Sequence, residues 1–189
     1  MISFIFFILS SSLCLSSSKL TEIYYNEKNL NNKNRIIDYI HENTKEINTY
    51  ISDILILFQI IYSMSCFSLE IIEKCLFILS IIQFLRILCF TTTILPPLKK
   101  DKIRVFGMNG NGSEYIFSGH ACYSCITFLY LFLEYKEKIN IYFLIIYNII
   151  SQSCIIISRN HYTVDVILAW IITTSFTFNV EMYLFLYSS

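Results

Sequence analysis

Glycine occurs four times and proline twice in this chain, whereas Ile, Asn, Tyr, Phe and Lys are used heavily. The skew matches an AT-rich coding bias, so the apolar fraction alone is a weak guide and the pattern of residues has to carry the reading. Neither charge is in excess: 14 Lys and Arg balance 14 Asp and Glu, which gives no electropositive face for a nucleic-acid partner. Seven cysteines, at 14, 66, 75, 89, 122, 125 and 154, form no ladder of CxxC pairs and mostly lie inside apolar runs. That argues against a disulfide framework and a zinc site. Cys122 and Cys125 have the spacing but no second pair, and read as small core residues. Neither a metal nor a cofactor is called for.

What is present is apolar surface: 55% of residues are hydrophobic and the mean hydropathy is +0.57. A bilayer core about 30 Å thick takes roughly 20 mostly apolar residues per helix, and the chain offers five or six such stretches between short polar pieces. The expected fold is all-α, a polytopic membrane bundle of about six transmembrane helices. Residues 1–17 read as a first apolar span or a signal-like segment without a basic leader, and 18–48 as a polar loop, partly an amphipathic surface helix. Residues 49–183 form the expected transmembrane catalytic domain. Its spans are Ile51–Phe67; Ile71–Leu95, ended by Pro96 and Pro97; Ala121–Tyr135, extended backward by FSGH; Ile141–Ser158; and Tyr162–Val180. Span parity brings the starts of the fourth and sixth to one side.

Only three histidines occur, and two stand at those span entrances, in FSGH (His120) and HYTVD (His161). Asp165 lies one turn inside an apolar run, where a carboxylate facing lipid costs roughly 2.5–3.5 kcal/mol or more, so it is expected to face the bundle interior. Spacing i to i+4 predicts that it shares a helical face with His161, about 5–6 Å away between Cβ atoms, and accepts one imidazole N–H. The other ring nitrogen is then free to attack phosphorus, giving a phosphohistidine, while His120 serves as acid and base. Arg159, two residues before His161, is expected to hold the phosphate with a bidentate guanidinium, joined by Ser118 and the backbone at Gly119 at a helix N-terminus. Arg86 sits mid-span, about 13 Å from the span end at 1.5 Å per residue, too deep to snorkel comfortably, and is read as a further phosphate ligand. His41, in the polar loop without such neighbours, reads as a surface residue.

These segments resemble the sphingomyelin synthase family, a branch of the type-2 phosphatidic acid phosphatase superfamily. Its signatures run approximately CGDYLFSGHT and HYTIDV, beside GSEYIFSGHA and HYTVDV here, and LRILCFTTTILPP is similar to the family's pre-proline segment. The resemblance spans Asp38 to Trp170. It implies six spans, a triad of His120, His161 and Asp165, attack by His161 on a glycerophospholipid phosphate, and transfer of the head group to ceramide without a metal. Glu114 stands where the family has Asp, Ala121 where it has Thr, and no PPLPD-like segment precedes the second span. SRNHYTVDV is closer to the inositol-phosphorylceramide and related synthases of protists, which leaves the donor head group open. Lys and Arg concentrate on the histidine side, which by the positive-inside rule predicts a cytosolic site. The resemblance implies instead a lumenal or exoplasmic one, in Golgi, ER or plasma membrane. A lipid phosphate phosphatase and a non-catalytic lipid-binding membrane protein are the alternative functions.

Overall fold

The computed structural model describes residues 2–27, 36–93 and 116–188. They form α1 (Ile2–Glu27), α2 (Tyr39–Asn43), α3 (Thr49–Cys66), α4 (Leu69–Thr92), α5 (Gly119–Tyr135), α6 (Ile141–Ile157) and α7 (Thr163–Ser188), with no strand among the described residues. The all-α bundle is thus the observed fold. Pro96, Pro97 and Glu114 lie outside the described residues.

Side-chain caps set the helix starts. Asp38 accepts from Ile40 and His41, Asn48 from Tyr50, Ser68 from Ile71, Ser118 from Ala121 and Asn140 from Phe143, each supplying an acceptor to an otherwise unpaired first-turn N–H. Ser68 caps α4 two residues after α3 ends at Cys66, so these helices must run antiparallel. α1 runs to Glu27, beyond the apolar stretch, through a serine-rich segment. Its hydroxyls stay inside the helix by bonding back to carbonyls, Ser16 to Ser12 at 2.9 Å and Thr21 to Ser17 at 2.8 Å.

Contacts give the helix directions. Ser11 and Cys14 of α1 meet Gln83 and Arg86 of α4, so α1 and α4 run parallel. Ser52 and Leu55 of α3 meet Ser158 and Tyr147, so α6 opposes α3. Tyr130 of α5 reaches Glu181 of α7, and Tyr135 reaches Cys66, so α3, α5 and α7 share a direction. One end of the bundle therefore gathers the starts of α3, α5 and α7 with the ends of α4 and α6.

Packing is inverted relative to a protein in water. Along α3 the buried residues are Ser52, Ile56, Gln59 and Ser63, and along α6 Leu144, Asn148, Ser151 and Ile155, while Ile54, Phe58, Ile61, Phe143, Ile146 and Ile149 point outward. α1 meets α4 through small residues, Ser10, Cys14, Ser18 and Thr21, which allow backbones to approach where lipid offers no hydrophobic driving force. Inside, Gln59 donates to the Ser124 carbonyl and to Thr127 Oγ1, and accepts from Ser124 Oγ, tying α3 to α5.

Among the described residues four helices, α1, α3, α4 and α7, are long and apolar enough to cross a bilayer. α6 is apolar but has 17 residues, about 25 Å at 1.5 Å per residue. α5 also has 17 residues and packs against α3, α4, α6 and α7. A helix shielded on so many sides faces protein more than acyl chains, so its sequence (GHACYSCITFLYLFLEY) needs less hydropathy than a peripheral span.

Candidate active site

The buried carboxylate of Asp165 organises the gathered end. α7 begins at Thr163, so His161 lies in the turn before the helix and not on the helical face that the i to i+4 spacing suggested. Tyr162 occupies the N-cap position and Asp165 is the third helical residue, whose Oδ2 accepts the Tyr162 N–H at 3.0 Å, half of a capping box. Its Oδ1 accepts the Ile116 N–H at 2.8 Å, and its main-chain carbonyl accepts the Ser118 N–H at 3.3 Å. One residue thereby pins the segment leading into α5 against the start of α7. Ile116 is held there at φ 98°, a conformation costly for a β-branched side chain, which Asp165 helps to hold.

This latch brings the two distant histidines together. The His120 and His161 rings lie 6.4 Å apart between centroids, tilted by 57°. His161 is buried, and its Nδ1 stands 3.4 Å from Asp165 Oδ2 without making the hydrogen bond that the i to i+4 spacing suggested, because that oxygen is aimed at the Tyr162 N–H. His120, the second residue of α5, has its own carboxylate: Nε2 lies 3.2 Å from Asp53 Oδ1 on α3. Asp53 was missed in the sequence although its signal was the one that flagged Asp165, an acid just inside an apolar run (TYISDILIL).

The four expected phosphate ligands divide. Ser118 is fully buried, and its Oγ accepts the Ala121 N–H at 3.2 Å as the cap of α5. Arg86 does reach the site: its Nε donates to the Phe117 carbonyl at 2.9 Å and its guanidinium lies over Gly119. A Cβ at 119 would come 2.9 Å from Arg86 Nη1, so the glycine makes room for the guanidinium beside His120.

Arg159 faces elsewhere. Its Nη2 donates to the carbonyls of His41 and Thr44, the latter at 2.8 Å, and Nη1 to Thr44 Oγ1 at 3.3 Å. α6 ends in a Schellman turn, with Arg159 N–H on Ile156 O and Asn160 N–H on Ile155 O, which puts Arg159 at φ 59°, where glycine is usual. Left-handed backbone costs a non-glycine residue roughly 1–2 kcal/mol, offset here by the three bonds to the end of α2. To hold a phosphate, the guanidinium has to leave those partners.

α2 is otherwise clasped to the His161 turn. Asp38 accepts from the Thr163 N–H at 2.6 Å and from Thr163 Oγ1 at 2.9 Å, and His41 stacks on Tyr162 with centroids 5.9 Å apart. The surface reading of His41 is corrected: it is buried, because α2 folds back onto the turn that carries His161. Burial, reinforced by the nearby Arg159 charge, holds the His41 pKa below its ordinary 6.5 against the opposing pull of Asp38. Burial disfavours the Asp38 carboxylate, but the Thr163 and His41 hydrogen bonds and the His41 charge outweigh it, so its pKa lies below 3.8.

For both groups the undocked state takes up its proton at higher pH than the docked state. Clasp stability therefore falls as pH drops, first below 6.5 through His41, then below 3.8 through Asp38. Amide exchange over residues 36–48, corrected for intrinsic rates, should show protection decreasing as pH crosses the histidine value from above. Equal protection on both sides would contradict this account.

Among the described residues no group of three or more His, Cys, Asp or Glu is placed to hold a metal ion. The ensemble is two imidazoles, each beside a carboxylate, with a guanidinium over the adjoining helix N-terminus. Such a set can hold an anion, attack it and shuttle a proton.

Residues 113–183 match the family model described as PAP2 superfamily C-terminal. That segment contains both histidines and Asp165, and the match supports the type-2 phosphatidic acid phosphatase superfamily. With the apolar helices it supports an integral membrane enzyme of the lipid phosphatase and phosphotransferase kind. No curated protein matches the chain.

Proposed function

We propose that this protein transfers a phospho-alcohol head group from a glycerophospholipid to ceramide through a phosphohistidine at His161. The observation that carries the reading is the approach of His120 and His161 to 6.4 Å at one end of an apolar bundle, with Asp165 beside the second ring. The choice of transferase over hydrolase rests on the resemblance of GSEYIFSGHA, HYTVDV and LRILCFTTTILPP to sphingomyelin synthases. Phosphocholine, phosphoethanolamine and phosphoinositol are the candidate head groups.

In the first half-reaction a ring nitrogen of His161 forms a P–N bond as the P–O bond to diacylglycerol breaks, and His120 delivers a proton to the departing oxygen. In the second, the ceramide hydroxyl gives its proton to His120 and attacks phosphorus, and the P–N bond breaks. Arg86 meets the charge on the phosphate oxygens from across Gly119, and Arg159 joins if it releases α2. The site faces the lumen or exterior in this reading.

Membranes containing the protein, given labelled ceramide and a panel of glycerophospholipids, should yield a labelled phosphosphingolipid and an equal amount of diacylglycerol, identified by mass. Release of soluble phosphate or phospho-alcohol with ceramide left unchanged would make the enzyme a hydrolase instead. No reaction with any lipid would favour a lipid-binding role.

A further inference from the structure

His161 is the proposed nucleophile, yet its side chain is only 4% exposed, against 24% for His120. A lipid phosphate cannot reach a ring so enclosed, and an element packed on its turn has to move. α2 is packed there: Asp38 holds Thr163 by two hydrogen bonds, His41 stacks on Tyr162, and Arg159 donates to the carbonyls of His41 and Thr44. Each of these contacts falls within two residues of His161.

What α2 offers Arg159 imitates an anion. A helix end leaves its last carbonyls without intrahelical donors, and Arg159 takes two of them together with the Thr44 hydroxyl at 3.3 Å. A phosphate presents oxygens to a guanidinium in the same way, but those on α2 are neutral, and charge-assisted hydrogen bonds are roughly twice as strong. A phosphate within reach therefore takes the guanidinium from α2. The docked helix is also weakly built: five residues do not hold a helix in isolation, and the buried His41 Nε2 meets no hydrogen-bond partner.

We propose that α2 is an autoinhibitory strap: docked, it occupies Arg159 and keeps His161 enclosed, and an arriving lipid phosphate replaces the α2 carbonyls on Arg159, which frees α2 from the turn and opens the nucleophile. The exchange makes and breaks hydrogen bonds only. This device rests on the phosphotransfer reading above.

The strap predicts an inverted sign. Loosening α2 without touching Arg159 should strengthen anion binding, because apparent affinity is reduced by the fraction of molecules held closed. In the purified full-length protein, Asp38→Ala removes both bonds to Thr163 and should lower the dissociation constant of orthovanadate, measured by calorimetry, by roughly threefold to tenfold. Thr163→Val removes only the hydroxyl bond and should shift it the same way by less. It keeps the Asp38 cap of α2, so it decides the sign if Asp38→Ala loses its melting transition. In an Arg159→Ala background neither substitution should tighten binding, since no guanidinium is left to release. In the parent, vanadate should speed amide exchange over residues 36–48 by roughly fivefold or more.

Unchanged or weaker affinity in Thr163→Val, tightening that persists with Arg159→Ala, or exchange over 36–48 that vanadate leaves unaltered would each overturn the strap while leaving the phosphotransfer reading intact. A parent protein that forms no phosphohistidine from any phospholipid would overturn both.

Discussion

Replacing His161 by alanine is expected to abolish head-group transfer, by roughly 10⁴-fold or more, and to remove acid-labile phosphate from the protein during turnover. A displacement routed through a covalent intermediate has no substitute when the nucleophile is removed. Residual turnover would come only from water or ceramide attacking a phosphate still held by Arg86. The chemistry can be separated from the fold because His161 lies in the turn before α7, outside the helix hydrogen-bond ladder. The variant should therefore keep its helical content and its detergent melting behaviour near those of the parent. Trapping phosphoprotein with a labelled head group, quenching in base and counting label gives the result directly. Label retained at the parental level in His161→Ala would eliminate this nucleophile.

Asp165 is expected to behave differently, because it serves both structure and chemistry. Asp165→Ala removes the acceptors of the Ile116 and Tyr162 N–H groups, and leaving a buried donor unmet costs about 1–3 kcal/mol for each. It also frees Ile116 from the backbone conformation it is held in and loosens FSGH from the α7 start. Activity and thermal stability should fall together. Asp165→Asn retains one carbonyl acceptor but turns an NH₂ toward a neighbouring N–H and withdraws charge from His161. Its stability should be intermediate, with turnover nearly as low as in the alanine variant. The check is a melting curve in detergent beside a turnover assay. If Asp165→Ala melts like the parent, the latch that joins the two motifs is misassigned.

The bundle and the meeting of the two histidines at one end of it were legible for simple reasons. A helix that meets lipid has to be apolar over its length, so the spans stand out, and a charge inside such a run is costly enough to mark itself, as Asp165 and Arg86 did. Arg86 was placed at the site by depth alone, before Gly119 could be seen to make room for it. Local order along the chain could not say whom Arg159 or His41 would meet. Arg159 meets His41 and Thr44, 118 and 115 residues away, and His41 stacks on Tyr162; the docking of a five-residue helix has no periodic signature. Asp53 escaped for a different reason. Its partner His120 belongs to another span, and only the packing of α3 on α5 brings them together.

The sequence by itself determined the all-α class of this protein and the residue types at its candidate site. Its apolar runs require helices in a bilayer, and FSGH and HYTVD supply two imidazoles and an acid at span entrances. The tertiary structure decided the assignments among those groups: Asp165 latches α5 to α7, Asp53 stands behind His120, Arg86 fills the space over Gly119, and Arg159 holds α2. Those outcomes depend on which surfaces meet when helices remote in the chain pack together, and on buried polar groups taking the nearest available partner, neither of which is written in the order of residues within any single helix.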